Sequence, residues 1–374
     1  MGNGVLKWFR SGGKNPKPPQ LKDYISAEVP MNREIFGPDV FTKSIPATLV
    51  FEAGGMGDYI NWCAALKYIE THYSHVDVRV FTSKLFIDVL KYLFEKNERW
   101  IVADKKDFLK YHVQGSVVRI PKRGTQLLNA CGAHLMDLGF HYFLCLDGPL
   151  DKKHMVLPEI NYEGPWKWPE LDPQSDYCIF TPGSTTDVRE MPVTAFNELL
   201  RYVKSKGITP VFLGKAELSD NYNAKFLNYD YGLGIDLRER TNLIEATQII
   251  RKAKFIIGID NGLLHMAGTT NTPIIFGHNI TTVEHRNIRR NKGLTINITA
   301  NDKELPCIGC QSKIRFVSNH DFRKCIFKEN PDLNKKCLNV LFKNAAVTWK
   351  KAIDECLKDG QSYRNVAKNV TRLV

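Results

Sequence analysis

The sequence predicts an α/β chain built from two Rossmann-like halves, each with a parallel sheet, and closed by a C-terminal helix. Apolar, β-branched runs alternate with segments of helical period in two separate series, within 46–146 and 176–343. Between them Asp147–Pro173 breaks the alternation with Pro149, Pro158, Pro165, Pro169 and Pro173, which reads as an inter-domain linker over 147–175. Strands in both series run into short turns rich in Gly, Asp or Asn, where sheets of this kind bind ligands.

Residues 1–45 show no period and contain Lys14-Asn-Pro-Lys-Pro-Pro19, so they read as a basic arm. In the first half, strands are expected at Thr48–Glu52, Val76–Phe81, Trp100–Ala103 and Val117–Ile120. Helices are expected at Tyr59–Tyr73, Lys84–Glu95 and Thr125–Leu138. In the second half, strands are expected at Tyr177–Thr181, Ile208–Leu213, Phe255–Ile259, Thr272–Phe276 and Leu294–Ile298. Helices are expected at Pro192–Lys206, Asn242–Lys254, Gly262–Thr269 and Val283–Arg290, with Gly207 placed to end the first of these. The last clear element is the helix Asn344–Lys358, within a C-terminal segment 344–374.

An apolar content of 43% and a charged content of 25% over 374 residues are globular values. No apolar run reaches the length of a membrane span, and the first ten residues lack a secretory h-region. These features point to a cytoplasmic protein, with room for contact at the inner face of a membrane. The net charge of +12 is concentrated at the ends: residues 302–374 hold 15 Lys or Arg against 8 Asp or Glu. Such surfaces suit an anionic partner, whether a nucleotide-sugar, an anionic membrane or nucleic acid, or they are simply solvated. Cys63, Cys145 and Cys178 sit in apolar runs and read as reduced core thiols.

Three strand-end turns stand out: Gly54-Gly55-Met-Gly57-Asp58, Thr181-Pro-Gly183-Ser184 and Asp260-Asn261-Gly262. The first lacks the Lys-Ser/Thr of a phosphate-binding P-loop, and its glycines at Gly55 and Gly57 let a ligand approach the backbone. Asp58 is placed either to act as a general base on a hydroxyl or to cap the helix that follows. The third turn feeds a helix start, which offers free N–H groups to a phosphate or is an ordinary βα turn capped by Asp260.

Taken in order, these blocks resemble the heptosyltransferase-like glycosyltransferases of family 9. Gly57-Asp58-Tyr-Ile60 with Ala65-Leu66-Lys67 is similar to the family's N-terminal block. Pro182-Gly183-Ser184 with Arg189-Glu-Met-Pro192 is similar to the second, and Asp260-Asn-Gly262-Leu-Leu-His265-Met-Ala267 to the third. The resemblance implies the GT-B fold, in which two Rossmann-like domains face each other across a cleft. It implies inverting transfer from a nucleotide-diphosphate sugar with no metal required for catalysis. On that basis Asp58 is the general base and Arg189 a donor-phosphate contact. Gly183, Ser184, Asn261 and Gly262 line the donor side, Asp260 shapes its turn as a cap, and His265 touches phosphate or orients the turn. Gly55 and Gly57 fall on the acceptor side.

The chain departs from the family pattern at Met191, where Trp is usual, at Asn261, where Thr is usual, and at His278-Asn279-Ile-Thr281-Thr282. The usual family acceptor is a lipopolysaccharide-type glycolipid. A modified base in DNA and a non-catalytic sugar-nucleotide-binding role are the alternatives. Cys307, Cys310, Cys325 and Cys337 form a C-x2-C-x14-C-x11-C pattern that matches a structural zinc site or a set of free thiols.

Overall fold

The computed structural model describes residues 47–51, 55–110, 117–120, 134–144, 152–184, 186–216, 229–301, 305, 307–310, 325, 327, 330, 332, 334–343, 347–363 and 365–373. The basic arm expected over 1–45, Gly54, Cys145 and the first part of the helix expected at Thr125–Leu138 lie outside them.

The first half runs β1 (Ala47–Phe51), α1 (Met56–His72), β2 (Val78–Thr82), α2 (Lys84–Phe94), β3 (Trp100–Asp104), β4 (Val117–Ile120) and α3 (Leu135–Leu144). Its four strands are all parallel in the order β3-β2-β1-β4. The second half runs β5 (Tyr177–Thr181), α4 (Val193–Ser205), β6 (Thr209–Phe212), β7 (Ile235–Asp236), α5 (Leu243–Lys252), β8 (Ile256–Ile259), α6 (Gly262–Ala267), β9 (Ile274–His278), α7 (Val283–Arg286), β10 (Gly293–Thr299), α8 (Lys336–Lys343), α9 (Thr348–Asp359) and β11 (Ala367–Leu373). Its sheet is also parallel, in the order β11-β10-β9-β8-β5-β6-β7.

These orders set the switch points of the two sheets. In the first sheet the chain builds outward from β1 through β2 to β3, then reverses to place β4 on the other side of β1. In the second it builds from β5 through β6 to β7, then reverses to place β8 beside β5. Connections leave such a reversal on opposite faces and open a crevice at the carboxyl ends of the strands. The turn after β1 carries Asp58, while the turns after β5 and β8 carry Ser184 and Asp260. All three sequence blocks therefore sit at topological switch points.

The linker is a buried strap. Leu157, Ile160, Trp168 and Leu171 are all at most 2% exposed and join the apolar cluster shared by the two halves. Leu157 N–H donates to Arg289 O at 2.9 Å and Ile160 N–H to Thr269 O at 2.8 Å, so the segment is pinned along the second half. The prolines that break its period suit such an extended path, since they need no ladder partner for their nitrogen.

Two further elements extend the expected plan. The helix α8 precedes α9, and β11 follows it to pair in parallel with β10 along seven residues. Helix α9 is anchored by Trp349, which is fully buried, stacks on Phe342 at 4.8 Å and donates its indole N–H to Leu341 O at 3.1 Å. Gly277 of β9 makes room for it, because a Cβ there would lie 2.8 Å from the Trp349 ring. Helix α4 ends as expected with Gly207 at φ 76°, a conformation glycine adopts without strain. The helix expected over Val283–Arg290 stops at Arg286, because Asn287 turns extended.

Candidate active site

The two halves meet where α1 faces α6. A Cβ on Gly57 would lie 2.7 Å from the His265 ring, and one on Gly262 would lie 2.3 Å from the end of Met56. Glycine at both positions allows the two switch-point turns to approach this closely.

Asp58 occupies the third position of α1. Its Oδ2 accepts the N–H of Gly55 at 2.7 Å, which satisfies one orphan donor of the helix start. Its Oδ1 accepts from Arg286 of the second half at 3.1 Å. The carboxylate thus caps its own helix and also reaches across the cleft, with 15% of its side chain exposed. Each oxygen keeps a second lone pair for another donor.

Asp260 does not cap α6, contrary to the sequence expectation. Its N–H donates to Gly277 O at 3.3 Å, so its backbone still belongs to the β8–β9 ladder. The cap is the next residue: Asn261 Oδ1 accepts from Leu263 N–H at 3.0 Å and from Leu264 N–H at 3.2 Å. The Asn261 amide also donates to Thr181 O at 3.0 Å and to Gly183 O at 3.3 Å. One side chain therefore ties the β5 turn to the β8 turn. It also occupies two of the N–H groups that a phosphate could have used; those of Asn261 and Gly262 lie ahead of them. Ser184 is buried in the β5 turn beside this tie.

The freed Asp260 carboxylate, 2% exposed, is the hub of a buried charge cluster. Arg189 donates to its Oδ2 at 3.3 Å and to its backbone carbonyl at 3.2 Å. Thr281 donates its hydroxyl to Oδ2 at 3.3 Å, and Arg286 Nε stands 4.0 Å from the same oxygen. Burial alone would raise the Asp260 carboxyl, but the Arg286 charge, the His265 bond and Arg189 together hold it well below the usual carboxylate range.

His265 is likewise buried, and this geometry fixes its tautomer. Asn61 Nδ2 donates to Nδ1 at 3.1 Å, so Nε2 carries the proton and donates to Asp260 Oδ1 at 3.2 Å. The same Asn61 amide donates to Gly57 O at 2.7 Å. His265 is therefore a link from α1 to Asp260 that orients the turn, and at 1% exposure it does not present a nitrogen to a phosphate.

Arg286, Asn61 and Thr281 complete the cluster and were not expected from the sequence. Arg286 stands in the stretch Arg286, Arg289, Arg290, outside all three motif blocks. Beside the cluster, His278 is fully buried on β9 and bonds Asn297 at 2.8 Å, and burial pushes its imidazole down to about 4. Glu190, adjacent to Arg189, is also buried and pushed up to about 7, chiefly by burial and then by Asp187.

Three of the four cysteines, Cys307, Cys325 and Cys337, lie near one another. Cys307 and Cys310 flank a turn in which Gly309 takes φ 71°. Cys325 Sγ accepts the N–H of Lys335 at 3.3 Å. The Cys337 thiol is pushed up to about 12, by burial first and then by the neighbouring Cys307 and Cys325. Among the described residues, no group of three or more His, Cys, Asp or Glu is arranged to hold a metal ion. The described residues therefore do not show the zinc site that the spacing allowed.

Two parallel α/β halves with facing switch points are the GT-B fold. Residues 151–313 match glycosyltransferase family 9 (heptosyltransferase). That match covers the linker strap and most of the second half, where the β5 and β8 turns lie. No curated protein matches it.

Among solved structures, it resembles the iron-containing dodecameric glycosyltransferase TibC from enterotoxigenic E. coli H10407. The two share 17% identity over 84% of this chain and 76% of that one, with a TM-score of 0.62. TibC in complex with ADP-D-β-D-heptose gives 16% identity, the same coverage and a TM-score of 0.61. The family 9 glycosyltransferase from Veillonella parvula DSM 2008 gives 13% identity over 84% of this chain and 98% of that one, with a TM-score of 0.53. Among the described residues no helix is long and apolar enough to cross a membrane.

Proposed function

We propose that this chain transfers a glycosyl group, with inversion at the anomeric carbon, from an ADP-heptose-type donor to a hydroxyl of a lipopolysaccharide-type glycan. The observation that carries this reading is Asp58 at the mouth of the first half, bonded at 3.1 Å to the arginine that flanks the donor-side cluster. Asp58 takes the proton of the acceptor hydroxyl as the new C–O bond forms. The bond from the anomeric carbon to the diphosphate oxygen breaks, and its electron pair leaves with the nucleoside diphosphate. Arg189, with the N–H groups of Asn261 and Gly262 and the Gly183–Ser184 turn, lines the leaving group as its charge develops. The donor class is taken from TibC, whose complex holds ADP-D-β-D-heptose. The glycolipid acceptor is supported by the family match and by the net charge of +12, which suits an anionic lipid surface at the inner face of a membrane.

Thermal shift across nucleotide-sugars checks the donor, because a ligand of the native state raises the melting temperature by mass action. ADP-D-β-D-heptose is expected to raise it in proportion to log concentration. An equal or larger response to UDP- or GDP-sugars, with none to ADP-heptose, would set the donor assignment aside.

The cysteine cluster is proposed to take one structural metal ion, iron or zinc, through Cys307, Cys310, Cys325 and Cys337. The convergence of three of these thiols supports this, as does the fact that TibC contains iron. A bound cation lowers the pKa of the Cys337 thiol, which burial has raised. Element analysis is expected to find about one metal ion per chain, and serine replacement of Cys307 and Cys310 to remove it. Metal-free protein whose melting temperature is indifferent to a chelator would contradict the proposal.

A further inference from the structure

We propose that Arg286 is a positioning residue for the base: it aims the Asp58 carboxylate across the cleft and ties its placement to the donor-side cluster. This rests on reading Asp58 as the base.

Three observations converge on it. First, the end of α7 and the stretch after it form a seam onto the first half. Arg286 bonds Asp58 at 3.1 Å, the Asn287 carbonyl lies 2.6 Å from His134 Nε2, and Arg289 pairs with Asp137 at 2.5 Å. Two contacts just C-terminal to Arg286 therefore hold the segment that carries it, and its guanidinium is delivered to one place. Second, Arg286 is itself mostly buried, with 10% of its side chain exposed, and it lies between two carboxylates of opposite halves, Asp58 and Asp260. Burial would lower its pKa, and the two carboxylates outweigh that and raise it. Third, the cluster is charge-balanced, with Arg189 and Arg286 against Asp58 and Asp260 and with His265 neutral on the tautomer above. Asp260 already draws on both guanidiniums. Arg286 is thus committed to holding carboxylates.

A carboxylate fixed at one oxygen by its own helix start and at the other by Arg286 has little freedom to rotate. Pre-orientation of this kind counts in catalysis, because displacing a reacting group by about 1 Å costs on the order of 100-fold in rate.

The test uses the full-length protein with ADP-D-β-D-heptose. It follows ADP release for turnover and calorimetry for donor affinity. Arg286→Gln is expected to lower kcat by about 100-fold with donor affinity unchanged. Guanidinium ion added to Arg286→Ala is expected to restore part of the loss, and to restore none in Asp58→Asn. Unchanged kcat in Arg286→Gln, or lost donor affinity with kcat intact, would overturn the proposal, the latter by making Arg286 a phosphate ligand.

A double-mutant cycle on melting temperature reads the contact without turnover. Asp58→Asn and Arg286→Gln are expected to be non-additive, and additive shifts would also overturn it. Retained turnover in Asp58→Asn would instead remove the base assignment on which the proposal stands, and is told apart from a failure confined to Arg286.

Discussion

Asp58→Asn is expected to lower transfer by about three orders of magnitude while donor binding stays close to wild type, since a positioned general base contributes roughly 10²- to 10⁴-fold. The substitution is chosen to spare the fold. Asparagine keeps one oxygen able to accept the Gly55 N–H, so the α1 start remains satisfied. It removes the proton acceptor and the charge that faces Arg286. The donor turns of the second half keep their Asn261 tie to Thr181 and Gly183, which does not involve α1. Loss of turnover with donor affinity retained, measured by calorimetry, is the expected pattern. Turnover within a few-fold of wild type would show that another group takes the proton.

Asp260→Ala is expected to destabilise the protein by about 3–5 kcal/mol, the usual cost of removing one partner from a buried charge cluster. Arg189 and Arg286 then each lose a neighbouring carboxylate and the His265 N–H loses its acceptor, and the two guanidiniums are left close together with only Asp58 to offset their charges. Because the folded Asp260 carboxyl is held below its ordinary value, its stabilisation is complete above the unfolded carboxylate pKa of about 3.9 and is lost as pH falls below it. The stability gap between wild type and variant should therefore be level from pH 6 to 8 and narrow under strong acid. Denaturant unfolding at several pH values checks both parts. A loss below about 1 kcal/mol, as for an exposed pair, would contradict the cluster.

Much of this arrangement was legible in the sequence, because the strand–helix alternation and its proline-rich interruption are strong local signals. The switch-point turns were found for the same reason: their Gly, Asp and Asn residues are dictated by local backbone chemistry. The capping role was placed one residue early, since Asp260 and Asn261 are equally good caps by type. What separates them is a ladder hydrogen bond from Asp260 to Gly277, seventeen residues away in sequence and invisible to local reading. Arg286 was missed because it lies outside the three motif blocks, and the helix expected to run to Arg290 ends at Arg286 itself. β11 was missed because its residues, including Lys368, Asn369, Thr371 and Arg372, are those of an edge strand, where polar side chains are expected and apolar periodicity is weak. The strap over 155–171 looked like a linker because its buried residues, Leu157, Ile160, Trp168 and Leu171, follow no regular period.

The central claim is a single displacement at the anomeric carbon, with Asp58 activating the incoming oxygen. The most direct measurement is the anomeric configuration of the first product formed from ADP-D-β-D-heptose, followed by proton NMR before mutarotation, with an acceptor glycan or with water as acceptor. A single displacement predicts the α configuration; a β product would mean retention and would contradict the account.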